Sequence, residues 1–175
     1  MNKENAAPDA LTLLSADHQT VRRLFQECEE LRDKQGQDDL KAELVEQICF
    51  ELSVHALVEA EIFYPAVRAA IEDDELMDEA EAEHAGAKDL IAQLEAMLPG
   101  DEQFNATVTV LSEQVEHHIQ TEEGDMFVKA RNAGLDMARL GQRIQERKEE
   151  FESGFDAAPA PVGAKAGTQP KRDAP

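Results

Sequence analysis

His118-Ile119-Gln120-Thr121-Glu122 repeats, 63 residues later, the pattern of His55-Ala56-Leu57-Val58-Glu59. In an α-helix a four-residue step turns about 400° and rises about 6 Å, so each His shares a face with its Glu. Each pair interrupts an apolar stripe. Leu44, Ile48 and Leu52 lead to His55 and Glu59, with Phe63 one turn beyond. Phe104, Val108, Leu111 and Val115 lead to His118 and Glu122 in steps of three and four. That period is helical. Two more histidines lie on stripes of the same kind: His18 among Leu11, Leu14, Val21, Phe25 and Cys28, and His84 among Met77, Ala80, Ala87, Ile91, Leu94 and Leu98. Four of the five histidines thus fall one to each of four successive helical segments.

The punctuation between the stripes sets the organisation. The first helix ends near Lys34-Gln35-Gly36, the second around Ala70, and the third at Pro99-Gly100; Asp101 reads as the cap of the fourth, which Gly134 ends. A shorter fifth helix carries Leu140, Ile144 and Phe151 on one side. No run alternates as a strand would. Short connections between long helices predict an all-α, antiparallel up-down four-helix bundle plus a short fifth C-terminal helix. The expected domains are a flexible N-terminus over 1–10, the bundle over 11–152 and a disordered tail over 153–175, where Ala, Pro, Gly and Lys replace the periodicity. The histidines test this arrangement. His18 and His55 lie about equally far from the turn near residue 36, and His84 and His118 about equally far from Pro99-Gly100. On antiparallel helices all four then stand at one height, which the apolar pattern alone did not require. A faint internal repeat agrees: His55, Glu59 and Arg68 recur as His118, Glu122 and Arg131, and Asp17-His18 recurs as Glu83-His84.

Composition narrows the function classes. The 175 residues suffice for one domain with a real core. A net charge of −21 opposes nucleic-acid and anionic-membrane partners, because phosphates would be repelled. Cys28 and Cys49 form no Cys-x-x-Cys pattern and fit reduced thiols. No apolar run approaches the roughly 18 residues of a membrane span, and none near Met1 resembles a signal peptide. The expectation is a cytoplasmic, acidic domain of undetermined oligomeric state.

His18, His55, Glu59, His84, His118 and Glu122 replace apolar residues on core-facing stripes. An unpaired carboxylate there costs several kcal/mol, and burial opposes protonating the imidazoles that would pair with it. A metal removes the conflict, since it takes neutral imidazole and anionic carboxylate together. Imidazole and carboxylate without thiolate suit Fe, Mn or Zn. Six protein ligands with two carboxylates able to bridge suit two ions, with positions left open for O2, NO or peroxide. Neighbouring residues read less sharply. His117 reads as a surface residue or supporting group, with a labile fifth nitrogen as the alternative. Glu61 and Glu123 turn from the stripe and read as solvated. Tyr64 reads as packing, with proton donation as the alternative, and Pro65 should bend its helix just beyond the ligands. Gly86 and Gly124, each two residues after a ligand, read either as permitting close helix approach or as tolerated.

Ser15-Ala16-Asp17-His18, His55 through Pro65, Ala82-Glu83-His84 and His118 through Phe127 together resemble the hemerythrin-like HHE cation-binding family, over about residues 11 to 151. The resemblance implies a four-helix bundle whose matching histidines and glutamates hold a non-haem di-iron centre. It does not extend to the oxygen carriers' ligand pattern. Those have a second His where this chain has Lys88 and an Asp where it has Glu123, so stoichiometric O2 transport is not implied. Three functions stay open: binding or sensing of O2, NO or peroxide; an enzyme consuming peroxide or NO; and an iron-responsive regulatory or structural module.

Overall fold

The computed structural model describes residues 8–156, and among these residues there is no strand. Helix α1 spans Ala10–Leu31, with the Asp9 carboxylate accepting from the Thr12 N–H at its start. Gly36, at a φ of 73°, makes the turn into α2, Asp38–Val58. A π-helical turn, Glu59–Phe63, joins α2 directly to α3, Tyr64–Ala70. Helix α4 spans Asp74–Glu95 and is capped by Asp73. Helix α5, Phe104–Thr121, runs through a second π turn, Glu122–Met126, into α6, Phe127–Asn132. Gly134, again at 73°, ends that rod before α7, Met137–Asp156.

Four rods follow, α1, α2–α3, α4 and α5–α6, with α7 lying against α1, α2 and the first π turn. The core divides along the rods into two apolar layers. One holds Leu14, Phe63, Met77, Met126 and Ile144; the other holds Leu24, Ile48, Leu94, Leu111 and Ile119. On α1, α2–α3 and α4 the histidine falls between the residues given to the two layers; on α5–α6 Glu122 does so, with His118 one residue before Ile119 of the second layer. A polar layer between two dry ones is therefore built into the order of residues along each helix.

Helix α7, at 20 residues, is shorter than each of the four rods, as expected, and its stripe of Leu140 and Ile144 is buried against the first hairpin. Several other expectations are corrected. Asp101 does not cap α5, which starts at Phe104; its carboxylate instead accepts from Leu98 N–H and ties the loop. Leu98, assigned to the α4 stripe, is 71% exposed because the helix ends at Glu95. The irregularity near Pro65 begins at Glu59, before the proline, and recurs at Glu122, where the equivalent residue is Val128. Such a turn therefore does not require proline. The expected tail over 153–175 lies outside the described residues after Asp156, as does the N-terminus up to Ala7. No helix among the described residues is long and apolar enough to cross a membrane.

Candidate metal centre

The structure brings His18, His55, Glu59, His84, His118 and Glu122 into one cluster in the layer between the two cores. Five are buried and His84 is 17% exposed. The imidazoles face each other in couples: Nε2 of His18 lies 3.2 Å from Nε2 of His55, and Nε2 of His84 lies 3.3 Å from Nε2 of His118. Both glutamates span the couples. Glu59 places Oε1 3.1 Å from His55 Nε2 and Oε2 3.1 Å from His84 Nε2; Glu122 Oε2 lies 3.2 Å from His18 and 3.7 Å from His118. Two groups of donor atoms result, His18, His55, Glu59 and Glu122 in one and Glu59, His84 and His118 in the other.

Three further carboxylates orient the rings. Asp17 accepts from His55 Nδ1 at 3.1 Å, Glu83 from His118 Nδ1 at 2.9 Å, and Glu123 from His18 Nδ1 at 2.8 Å. A carboxylate is acceptor-only when ionised, so each of these three Nδ1 atoms carries a proton, and in the neutral ring the Nε2 lone pair is the one aimed into the cluster. Carboxylate–imidazole–metal arrangements work this way. Sequence reading gave these three no such role. The signal was present in the repeat: the acidic residue before the histidine on α1 and on α4, Asp17 or Glu83, serves the histidine of the following rod. Glu123 was read as solvated, yet it is turned inward by the π turn and also approaches Arg22 at 3.6 Å. Glu61 is exposed as expected, but Arg147 grips it through two nitrogens.

The electrostatics show a cluster short of positive charge. Burial alone would lower the His55 pKa, but Glu59, Asp17 and Glu122 outweigh it and raise it to about 10. His118 moves the same way against burial, through Glu83, Glu122 and Glu59. Imidazole protonation, which burial was expected to prevent, is thus the chain's own partial remedy. It is incomplete. Burial and the neighbouring Glu59 charge push the Glu122 carboxyl above its usual range, while Glu59, against its burial, is held well below by His55 and His84. Glu59 Oε1 and both Glu122 oxygens have no hydrogen-bond partner. Buried acceptors left unpaired cost about 1–3 kcal/mol each. Converging lone pairs and unpaired carboxylate oxygens fit a cation, which would displace the imidazole protons.

Residues 9–130 match the hemerythrin HHE cation binding domain family. The chain belongs to that family. A crystal structure of an HHE cation-binding domain-containing protein from Mycobacterium kansasii superposes with a TM-score of 0.71 at 21% identity, over 84% of this chain and 89% of that one. A DNA nickase from Nostoc sp. (strain PCC 7120 / SAG 25.82 / UTEX 2576) is 29% identical over 160 residues. That match takes in 90% of this chain but 41% of the nickase, so the chain spans about two fifths of that relative's length.

In this HHE domain the two halves of the cluster differ through their aromatic neighbours. The i→i+5 bond of each π turn, Tyr64 N–H to Glu59 O and Phe127 N–H to Glu122 O, returns the fifth residue toward the glutamate's face. In a regular α-helix it would lie about 140° away. Phe127 stacks on His18 at 6.0 Å and Tyr64 on His84 at 5.2 Å. Tyr64 also brings its hydroxyl 3.1 Å from His84 Nε2 and 3.4 Å from Glu59 Oε2. Packing does not exhaust its role. Burial and the Glu59 and Glu122 charges raise its pKa far above the usual phenol range. His117 is 65% exposed and stands outside the cluster, 3.4 Å from the Glu83 carboxylate that holds His118.

Proposed function

We propose that this HHE domain holds two iron ions and binds O2, NO or peroxide beside them. The observation carrying the reading is the pair of facing imidazole couples spanned by two buried carboxylates with unpaired oxygens. His18 and His55 would hold one ion and His84 and His118 the other, with Glu59 and Glu122 shared. The donor set, imidazole and carboxylate without thiolate, supports iron while also suiting Zn or Mn. Bound iron would supply redox chemistry and open coordination positions. The chain's own part is to fix ring tautomers through Asp17, Glu83 and Glu123, to exclude water with the two apolar layers, and to hold a proton at Tyr64 Oη. A cytoplasmic setting is part of the proposal, in keeping with Cys28 and Cys49 as buried free thiols.

Metal analysis and an absorption spectrum of freshly purified protein test the metal. Two irons per chain support the reading; zinc alone at full stoichiometry overturns it. Anaerobically loaded protein mixed with O2, NO and peroxide separates the functions. Stable adduct bands support ligand binding or sensing. Repeated turnover supports the second reading, a peroxide- or NO-consuming enzyme, which the Tyr64 hydroxyl in the cluster favours. Gain of helix on loading without any adduct supports an iron-responsive module. DNA nicking is not carried over, because a charge of −21 repels phosphate.

A further inference from the structure

A cavity of about 380 Å³ opens onto the imidazole cluster between α2 and α4. That volume lies in the range of small-molecule pockets and is more than twice the engineered apolar cavity of about 150 Å³ that admits benzene. O2, NO or peroxide would occupy a small part of it. Its depth is walled by Val21, Leu52, Ile91, Val115 and Ile119, all buried. Toward the surface the wall is Ala56, Leu57, Ala60, Ala85 and Ala87, mostly small side chains that leave space open between the two helices.

The polar groups on the wall are engaged elsewhere. Asp17 accepts from His55 and Lys148, and Glu83 accepts from His118. Ser53 Oγ donates to the Cys49 carbonyl, and Gln114 Nε2 donates to the Glu83 carbonyl across the α4–α5 contact. Gly86 makes that last bond possible, since a Cβ there would stand 2.2 Å from Gln114 Nε2. A buried water needs two to four polar partners. Below the exposed rim at Lys88, the wall still offers the Nε2 atoms of the cluster and the Gln114 Oε1. A largely apolar wall with most of its hydrogen bonds already made suits an occupant that asks for few.

We propose that the cavity binds a neutral, apolar organic molecule of roughly ten to seventeen non-hydrogen atoms, with one end against the His18, His55, His84 and His118 imidazoles. The inference deepens the reading of a metal centre open to a ligand and rests on it for the meaning of that contact. Occupancy of the cavity itself does not depend on the metal.

The test is a fluorescence titration of the full chain, as purified and with its metal content measured, using N-phenyl-1-naphthylamine and then competing with naphthalene. Saturable one-to-one binding displaced by naphthalene is expected. Ala56→Phe and Ala87→Phe, on different helices, should each fill the cavity and weaken binding about tenfold or more, with circular dichroism showing which variants keep the fold. Ala42→Phe is the control. It lies in a separate groove beside Val45, Phe50 and Phe151 and should leave binding unchanged. Absence of saturable binding, or wild-type affinity in a folded cavity variant, overturns the proposal; so does loss of binding in the folded Ala42→Phe variant. Full metal content without probe binding defeats the cavity alone, whereas probe binding without metal defeats only the metal reading.

Discussion

At the scale of single residues, identical residue types have opposite meanings. Gly86 and Gly124 each follow a cluster residue by two positions, and the sequence offered the same pair of readings for both. A Cβ at Gly86 would displace Gln114, whereas a Cβ at Gly124 meets nothing within 4 Å. Gly124→Ala should therefore raise stability by about 0.5–1 kcal/mol, the ordinary helix gain. Gly86→Ala should lose that gain to the broken Gln114–Glu83 bond. Thermal unfolding followed by circular dichroism compares the two; a common sign would refute the distinction. His118→Ala should at least halve metal per chain, because it removes an imidazole and leaves Glu59 and Glu122 less compensated. Unchanged loading would exclude His118 as a ligand. Tyr64→Phe should keep the metal but, under the enzymatic reading, slow peroxide or NO consumption roughly a hundredfold, the scale of a lost positioned proton. Cys49 titrates in the opposite sense from a reactive thiol. Burial raises its pKa from 9.0 to about 11, with Glu95 and Glu46 adding to the shift. Its contribution to stability is then complete below pH 9 and lost as pH climbs through 11. Mass spectrometry after iodoacetamide treatment at pH 8 should find Cys49 unmodified in the folded protein and modified in urea.

Among the elements, α7 does more than cover the bundle. Lys148 bonds both oxygens of Asp17, which accepts from His55 Nδ1, so a helix beginning after the family match ends reaches the cluster through two contacts. Burial would raise the Asp17 pKa, but His55 and Lys148 prevail and lower it, keeping it an acceptor. Lys148→Met should weaken metal binding about tenfold, as outer partners of metal-binding histidines do. Arg147→Met, losing exposed pairs with Glu61 and Glu150, should not. Competition with a chromophoric chelator reads the difference, and equal affinities would reduce α7 to a packing element. The π turns belong to this scale as well. Their position at each glutamate was illegible beforehand, because a single inserted residue leaves the apolar spacing on either side intact. Such turns are frequent at functional sites. Here each one brings the fifth residue beyond the glutamate, Tyr64 or Phe127, against a histidine of the cluster.

For the whole molecule, two apolar layers enclose the polar one, and net charge surrounds all three. With 38 acidic against 17 basic residues, self-repulsion outweighs the surface ion pairs. Raising salt from about 0.02 to 0.2 M should therefore raise the thermal midpoint, since screening shortens the reach of that repulsion. A falling midpoint would mean the ion pairs dominate. The same charge should prevent retardation of duplex DNA in a gel-shift assay, even though the Nostoc relative that aligns with this chain is a DNA nickase.

The order of residues along the chain was enough to determine the helical rods, the common height of His18, His55, His84 and His118, and the family resemblance. Helical period and loop position are local quantities, and six polar residues on apolar stripes are visible without coordinates. Only the tertiary structure decided which nitrogen of each ring faces the centre, that Asp17 and Glu83 serve the histidine of the neighbouring helix, and that Lys148 stands behind Asp17. Those contacts join residues as many as 131 positions apart, and side-chain direction across helices depends on packing angle and π-turn register, which no one-dimensional spacing records.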